Sequence, residues 1–232
     1  MLDPRITARA QRSALAVAGS TEAADPGYKG WLAVAARQVM AAQRREGTLI
    51  CDAVAAAFAA SDRYLVLRNV HVPIDRAVRT VAAAGFIGTP TQMRRCRQGR
   101  GLRVDIVVLD TWTGEVVFLE VKRGVTAIGS DHRARLEDNW AALELIGKDV
   151  AEYQFGRPVS TTRILVASYY GNTGFADDRT LTRDTINAYF DLPISGSVDI
   201  HLRYFRFLVD RHVPGLTGYN ADDRDASPRR AA

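Results

Sequence analysis

Residues 103–123, RVDIVVLDTWTGEVVFLEVKR, constrain the fold more than any other stretch of the chain. Two β-branched apolar runs, 104–109 and 115–121, flank the polar break Thr111-Trp112-Thr113-Gly114. Strand-like runs joined by a short Gly-containing turn predict a β-hairpin. Its register decides what chemistry the hairpin can carry. An even-numbered loop centred on Trp112-Thr113 sets Asp105 opposite Glu120. Centring it on Thr113-Gly114 sets Asp105 opposite Lys122. Side chains alternate along a strand, so Glu120 and Lys122 already share a face, and either register gathers Asp105, Glu120 and Lys122 together. A three-residue loop would break the arrangement.

Two carboxylates facing each other across strands cost roughly 0.2–1 kcal/mol, and more when partly dried. A divalent cation between them reverses that sign, since carboxylate oxygens are the hard ligands Mg²⁺ prefers. A neighbouring ammonium can orient a water for attack on a phosphodiester, and a cation offsets charge on the phosphate. The alternative is a solvated Glu–Lys cross-strand pair. The surroundings argue against it, being almost all apolar. So does residue choice: lysine occurs only at 29, 122 and 148 in a chain otherwise rich in arginine.

An Asp, a spacer and Glu-x-Lys on two adjacent strands resemble the PD-(D/E)xK nuclease superfamily. Arg103-Val104-Asp105 stands where that motif's "PD" lies, with Val for Pro, and Glu120-Val121-Lys122 is the (D/E)xK element. The resemblance implies metal-dependent cleavage of a nucleic-acid backbone. Asp105 and Glu120 would be ligands to Mg²⁺ or Mn²⁺, the carbonyl of Val121 a further ligand, and Lys122 would sit near the attacking water. DNA is the expected substrate, on the family's usual preference. A possible homodimer is likewise only a habit of the class.

The rest of the chain fits an α/β protein with a restriction-endonuclease-like αβββαβ core, a mixed central sheet flanked by helices and an N-terminal helical extension. Residues 1–20 read as an Ala-rich helix, broken by Asp25-Pro26-Gly27. Residues 28–45 read as an amphipathic helix with Trp31, Leu32, Val34, Ala35, Val39 and Met40 near helical spacing, packed on the core or on a second copy. Gly47 interrupts, and 48–60 resumes as helix with Ile50, Val54, Ala57 and Phe58 on its buried face. The run 64–72, YLVLRNVHV, is a strand stopped by Pro73. A glycine, a helix and a strand ending RNVHVP resemble nuclease-related domains of the NERD type, in which an acid four residues after the glycine completes the metal site. Cys51 stands at that position. Asp52 beside it, pointing away from the apolar face, and Glu46 at that face's border are the acids left to complete the shell.

Residues 78–84 read as a short helix. Gly88-Thr89-Pro90-Thr91 and a glycine-rich basic loop follow, with Arg94, Arg95, Arg97, Arg100 and Arg103 and no acid until Asp105. Guanidinium groups suit phosphate by charge and bidentate geometry, so Arg94, Arg95, Arg97 and Arg100 are candidate backbone contacts. Residues 131–155 predict a long helix capped by Ser130 or Asp131, and 162–170 a strand. That order implies a right-handed crossover within one sheet. Residues 177–190 read as helix and 197–209, SVDIHLRYFRFLV, as a late alternating strand. The expected divisions are a helical extension over 1–45, a nuclease-like core over 46–212 and a flexible tail over 213–232.

Composition narrows the partners. Thirty-one basic against twenty-six acidic side chains give a net charge of +5, which suits a polyanion. Cys51 and Cys96 form no CxxC, so a disulfide scaffold or structural zinc site is not expected, and a reducing, cytoplasmic setting is. No apolar run approaches membrane-spanning length. The four histidines show no metal-ligand spacing, and there is no P-loop or GxSxG. Trp31, Trp112 and Trp140 are expected to pack. The reading is thus a metal-dependent endonuclease. Its alternative is a catalytically inactive nuclease-fold module binding nucleic acid or a protein, and beyond that a purely structural partner protein.

Overall fold

The computed structural model describes residues 2–21, 27, 29–85, 93–95, 101–124, 127–171, 173–214 and 216. The expected loop at 88–91, Cys96, Arg97, Arg100 and the tail beyond Leu216 lie outside these. The chain divides into two compact units, Met1–Ala56 with Pro193–Ala232, and Ala57–Leu192.

The first unit is helical. Helix α1, Pro4–Ala18, starts where Asp3 accepts the Arg5 and Ile6 N–H groups and Pro4 supplies a helical φ. Helix α2, Gly30–Ala59, runs thirty residues without a break and passes into the second unit at Ala57. Gly47 therefore does not interrupt it. A glycine inside a helix costs about 1 kcal/mol relative to Ala, less than the flanking burial of Ala41, Leu49, Ile50 and Ala53 returns. Trp31, Leu32, Val34, Val39 and Met40 are exposed, Trp31 by 79%, so this stripe does not pack on the core of its own chain. The stretch read as a late strand is instead a helix (α6 below), Ile194–His212. Its buried residues, Ile194, Val198, His201, Leu202, Phe205, Leu208 and Val209, follow helical spacing, and nineteen residues exceed an ordinary strand. The alternation from Val198 to Tyr204 was compatible with both periods. Buried His201 accepts the Asp3 N–H at Nε2 (3.1 Å) and meets Ser197 O at Nδ1 (2.7 Å), which ties α1 to α6.

The second unit holds a five-stranded mixed sheet in the order β1-β2-β3-β4-β5. Its strands are β1, Tyr64–Pro73; β2, Gly101–Asp110; β3, Glu115–Lys122; β4, Thr161–Ser168; and the two-residue β5, Thr180–Leu181. The pairs β1–β2 and β2–β3 are antiparallel, and β3–β4 and β4–β5 parallel. Helix α3, Arg76–Ala83, is capped by Asp75, and α4, Ser130–Phe155, makes the crossover from β3 to β4. Gly129 is the residue before α4 and no side chain caps it, so neither Ser130 nor Asp131 does. Residues 177–190 break into a single 3₁₀ turn, β5 and the short helix α5, Ile186–Phe190. Helix α6 is the one named above.

One face of the sheet packs under α3 and α4. Val107, Leu109, Val116, Phe118, Ile164 and Val166 meet Leu136, Trp140, Leu143, Ile146 and Val150 there. Burying a large apolar side chain contributes about 1.5–3 kcal/mol, so this layer is the unit's main source of stability. Trp140 is 1% exposed and packs as expected, whereas Trp112 at the hairpin turn is 76% exposed, with the Arg63 guanidinium over its ring.

Candidate active site

The hairpin loop is Thr111–Gly114, four residues long, and the Asp110 side chain builds it. Asp110 Oδ1 accepts the Trp112 and Thr113 N–H groups at 2.9 and 3.4 Å. Its Oδ2 takes Arg63 Nη2 at 2.6 Å and Nε at 3.1 Å. Burial pushes against the Asp110 charge, but the hydrogen bonds from Arg63 and the turn amides win, and its pKa lies below the ordinary 3.8. Gly114, at φ +73°, closes the loop in the left-handed region that favours glycine. Pairing then runs Leu109–Val116, Val108–Val117, Val107–Phe118 and Ile106–Leu119. The loop is therefore centred on Trp112-Thr113, and the same register carried one step further sets Asp105 opposite Glu120.

At that step the ladder stops and the strands part. Lys122 O accepts from Tyr169 N on the β4 side, so the Val121 peptide, one residue out of phase, faces β2. Its N–H is taken by Asp105 Oδ2 at 2.9 Å in place of a β2 carbonyl. Strand β1 changes at the same level. Pairing skips from Arg68–Ile106 to Val70–Val104, and Asn69, opposite Asp105, has φ +52°. Asparagine tolerates this left-handed conformation better than most side chains. The kink lets Leu67 and Val70 both reach the core layer, as Val104 and Val107 do on β2. Arg103 Nη2 holds Asn69 Oδ1 at 2.7 Å.

Glu120 is 8% exposed on the strand face that carries Val116 and Phe118, and Lys122 Nζ lies 2.5 Å from its Oε1. Burial raises the Glu120 pKa above the ordinary 4.5. The Lys122 charge pulls it back, and the nearby Asp105 charge adds to the rise. Asp105, half-buried, thus lies close enough to Glu120 for their charges to interact, with its Oδ1 free of hydrogen bonds among the described residues. Beside them, Ser168 pairs with Lys122 across the parallel ladder. Its hydroxyl is buried and has no hydrogen-bond partner among the described residues.

The other sequence candidates divide. Glu46 and Asp52 lie on α2 in the first unit. Glu46 Oε1 receives Arg206 Nε at 3.0 Å and also Nη2, and Asp52 Oδ2 receives Arg9 Nη1. Asp52 is 3% exposed rather than turned away from the apolar side, because α1 brings Arg9 onto it. Arg95 is anchored to α4: its N–H and Nε engage Asp149, and its guanidinium lies 3.3 Å from the Tyr153 ring centroid. Arg94 is exposed. Among the described residues no group of three or more His, Cys, Asp or Glu side chains gathers to hold a metal. Also among them, no helix is long and apolar enough to cross a membrane.

The donor set still fits a hard cation. Mg²⁺ is commonly held by one or two carboxylates with waters and substrate phosphate completing its shell. Two opposed carboxylates, one of them dried, and a peptide group where the ladder has ended meet that pattern. Sequence reasoning passed over Asn69 and Ser168. An asparagine inside an apolar strand was a usable signal for Asn69, whereas a serine ending a strand carries none. Comparison with protein-family models, with curated proteins and with solved structures gives no match.

Proposed function

We propose that the chain is a divalent-cation-dependent nuclease of the PD-(D/E)xK type, with a restriction-endonuclease-like core, that hydrolyses phosphodiester bonds, DNA being the first substrate to test. The observation that carries this reading is the meeting of Asp105, Glu120 and Lys122 where the β2–β3 ladder ends, with the Asp105 charge acting on a buried Glu120. The element order α2, β1, β2, β3, α4, β4 supports it, α3 being an insertion.

In this reading Asp105 and Glu120 hold Mg²⁺ or Mn²⁺, with the Val121 carbonyl as a third oxygen. Such a cation supplies a more acidic water and offsets charge on the scissile phosphate. The Val121 N–H fixes the Asp105 carboxylate, so one oxygen is committed to orientation and the other is left for the ion. Lys122, released from Glu120, steers the water or meets a phosphate oxygen. Arg94 and Arg103 are exposed and offer guanidinium groups to a nucleic-acid backbone.

A plasmid-cutting assay with and without Mg²⁺ or Mn²⁺ tests this. Asp105→Asn keeps an acceptor for the Val121 N–H and removes the charge. Lys122→Ala removes the ammonium. Both are expected to lose cleavage by at least about a hundredfold with circular dichroism unchanged. Full activity in either would sink the assignment. A second reading, an inactive nuclease-fold module that binds nucleic acid or protein, is favoured by the arginines that hold Glu46 and Asp52. Calorimetry with Mn²⁺ separates the two: the enzyme binds it and the module does not.

A further inference from the structure

Ser168 closes β4 with a side chain that is fully buried and a hydroxyl that bonds to nothing among the described residues. An unsatisfied buried hydroxyl is costly, and one kept in a folded protein calls for an explanation. Three observations place this hydroxyl against the site. Ser168 is the register partner of Lys122, so the two side chains leave neighbouring strands on the same face, about 4.8 Å apart. Gly124, two residues past Lys122 at φ +74°, folds over it so closely that a methyl group there would lie 2.3 Å from Ser168 Oγ. Lys122 itself is held at Glu120, with 28% of its side chain exposed.

We propose that Ser168 is a positioning residue: its Oγ is the acceptor to which the Lys122 ammonium turns when a divalent cation claims Glu120. This rests on the nuclease reading above. A cation bound by Glu120 would compete with the ammonium for that carboxylate and, carrying twice the charge, would displace it. The displaced ammonium, largely covered and with three donors to satisfy, needs a new acceptor nearby. Ser168 Oγ has both lone pairs to offer. It would hold Lys122 off Glu120 yet beside the carboxylates, where the ammonium could act on the attacking water. The hydroxyl is thus unsatisfied in the ion-free arrangement because its partner arrives with the ion.

With three lysines in the chain, selective ¹⁵N and ¹³C labelling leaves only Lys29, Lys122 and Lys148 to assign. Mg²⁺ titration of the wild type is expected to move the Lys122 side-chain resonance. In Ser168→Ala that resonance is expected to end elsewhere, at an unchanged Mg²⁺ affinity. The same variant is expected to melt at or above the wild-type temperature, because it loses an unsatisfied polar group. Yet kcat on plasmid DNA should fall roughly ten- to a hundredfold at constant KM. Lower activity together with unimpaired stability is what a merely structural serine would not produce. Identical Lys122 end-points in the two proteins, or a wild-type kcat in Ser168→Ala, overturn the inference and leave the nuclease reading standing. A wild type whose lysines ignore Mg²⁺ and whose plasmid stays whole overturns the nuclease reading and this inference with it.

Discussion

Glu120 ties the proposed chemistry to stability. Its pKa is raised chiefly by burial, so between the unfolded value near 4.5 and the raised folded value the native state binds more protons than the unfolded one. Stability must therefore fall as pH rises through that window, the reverse of a hydrogen-bonded carboxylate such as Asp110. A cation at the site binds the ionised form and stabilises the native state by mass action, more strongly as pH rises. Urea unfolding from about pH 4 to about pH 8 is expected to show this decline without metal, and saturating Mg²⁺ to flatten or reverse it. Glu120→Gln should abolish both the decline and the Mg²⁺ effect. A wild-type profile indifferent to Mg²⁺ would detach Glu120 from any metal. The meeting of Asp105, Glu120 and Lys122 could be read from the sequence because charged residues inside apolar strands are conspicuous and an even loop fixes their register. Their environment could not: the Val121 N–H on Asp105 and the Asn69 kink arise from the parting of three strands, which no local pattern encodes.

Elements formed where burial and local preference agreed, and were misread where burial overruled preference. The hairpin, α4 and β4 were legible because each carries one unambiguous period and a turn signal at its ends. The break expected at Gly47 and the strand expected over 197–209 were not. Both turned on how long an apolar stripe continues, which depends on neighbours distant in sequence. Two glycines test this account. A Cβ at Gly47 meets nothing within 4 Å, so Gly47→Ala is expected to stabilise the protein by about 0.5–1 kcal/mol through helix propensity alone. Gly101, paired with Pro73 where β1 and β2 begin their ladder, is the opposite case. A Cβ there would lie 1.9 Å from Val72 O and 2.8 Å from the Pro73 Cα, both backbone and neither able to swing aside. Gly101→Ala is expected to destabilise by roughly 3 kcal/mol, or to prise β1 from β2. Thermal melts of the two variants should shift in opposite directions.

For the molecule as a whole, the charge excess is modest, thirty-one basic side chains against twenty-six acidic, and several arginines are already spent. Arg9, Arg63, Arg95, Arg163 and Arg206 face carboxylates of the chain itself. Among the described residues Arg94 and Arg103 are exposed and face no carboxylate, whereas without metal Lys122 is held at Glu120. Each phosphate neutralised on duplex DNA releases counterions and contributes about −0.9 to the slope of log K against log salt. Two such contacts give a slope of about −1.8, and an affinity loss of about twelvefold between 50 and 200 mM salt. Fluorescence anisotropy on a short duplex, in EDTA so that nothing is cut, measures this directly. Arg94→Ala and Arg103→Ala should each make the slope shallower by about 0.9, while Lys122→Ala, whose ammonium is held at Glu120 without metal, and Arg95→Ala, whose guanidinium is bound to Asp149 and Tyr153, should leave it alone. A slope near zero would mean that the basic excess only solvates the surface, and the chain would then read as a structural partner protein. A steep slope indifferent to Arg94 and Arg103 would put the phosphate contacts elsewhere on the chain, and neither arginine would belong to the interface.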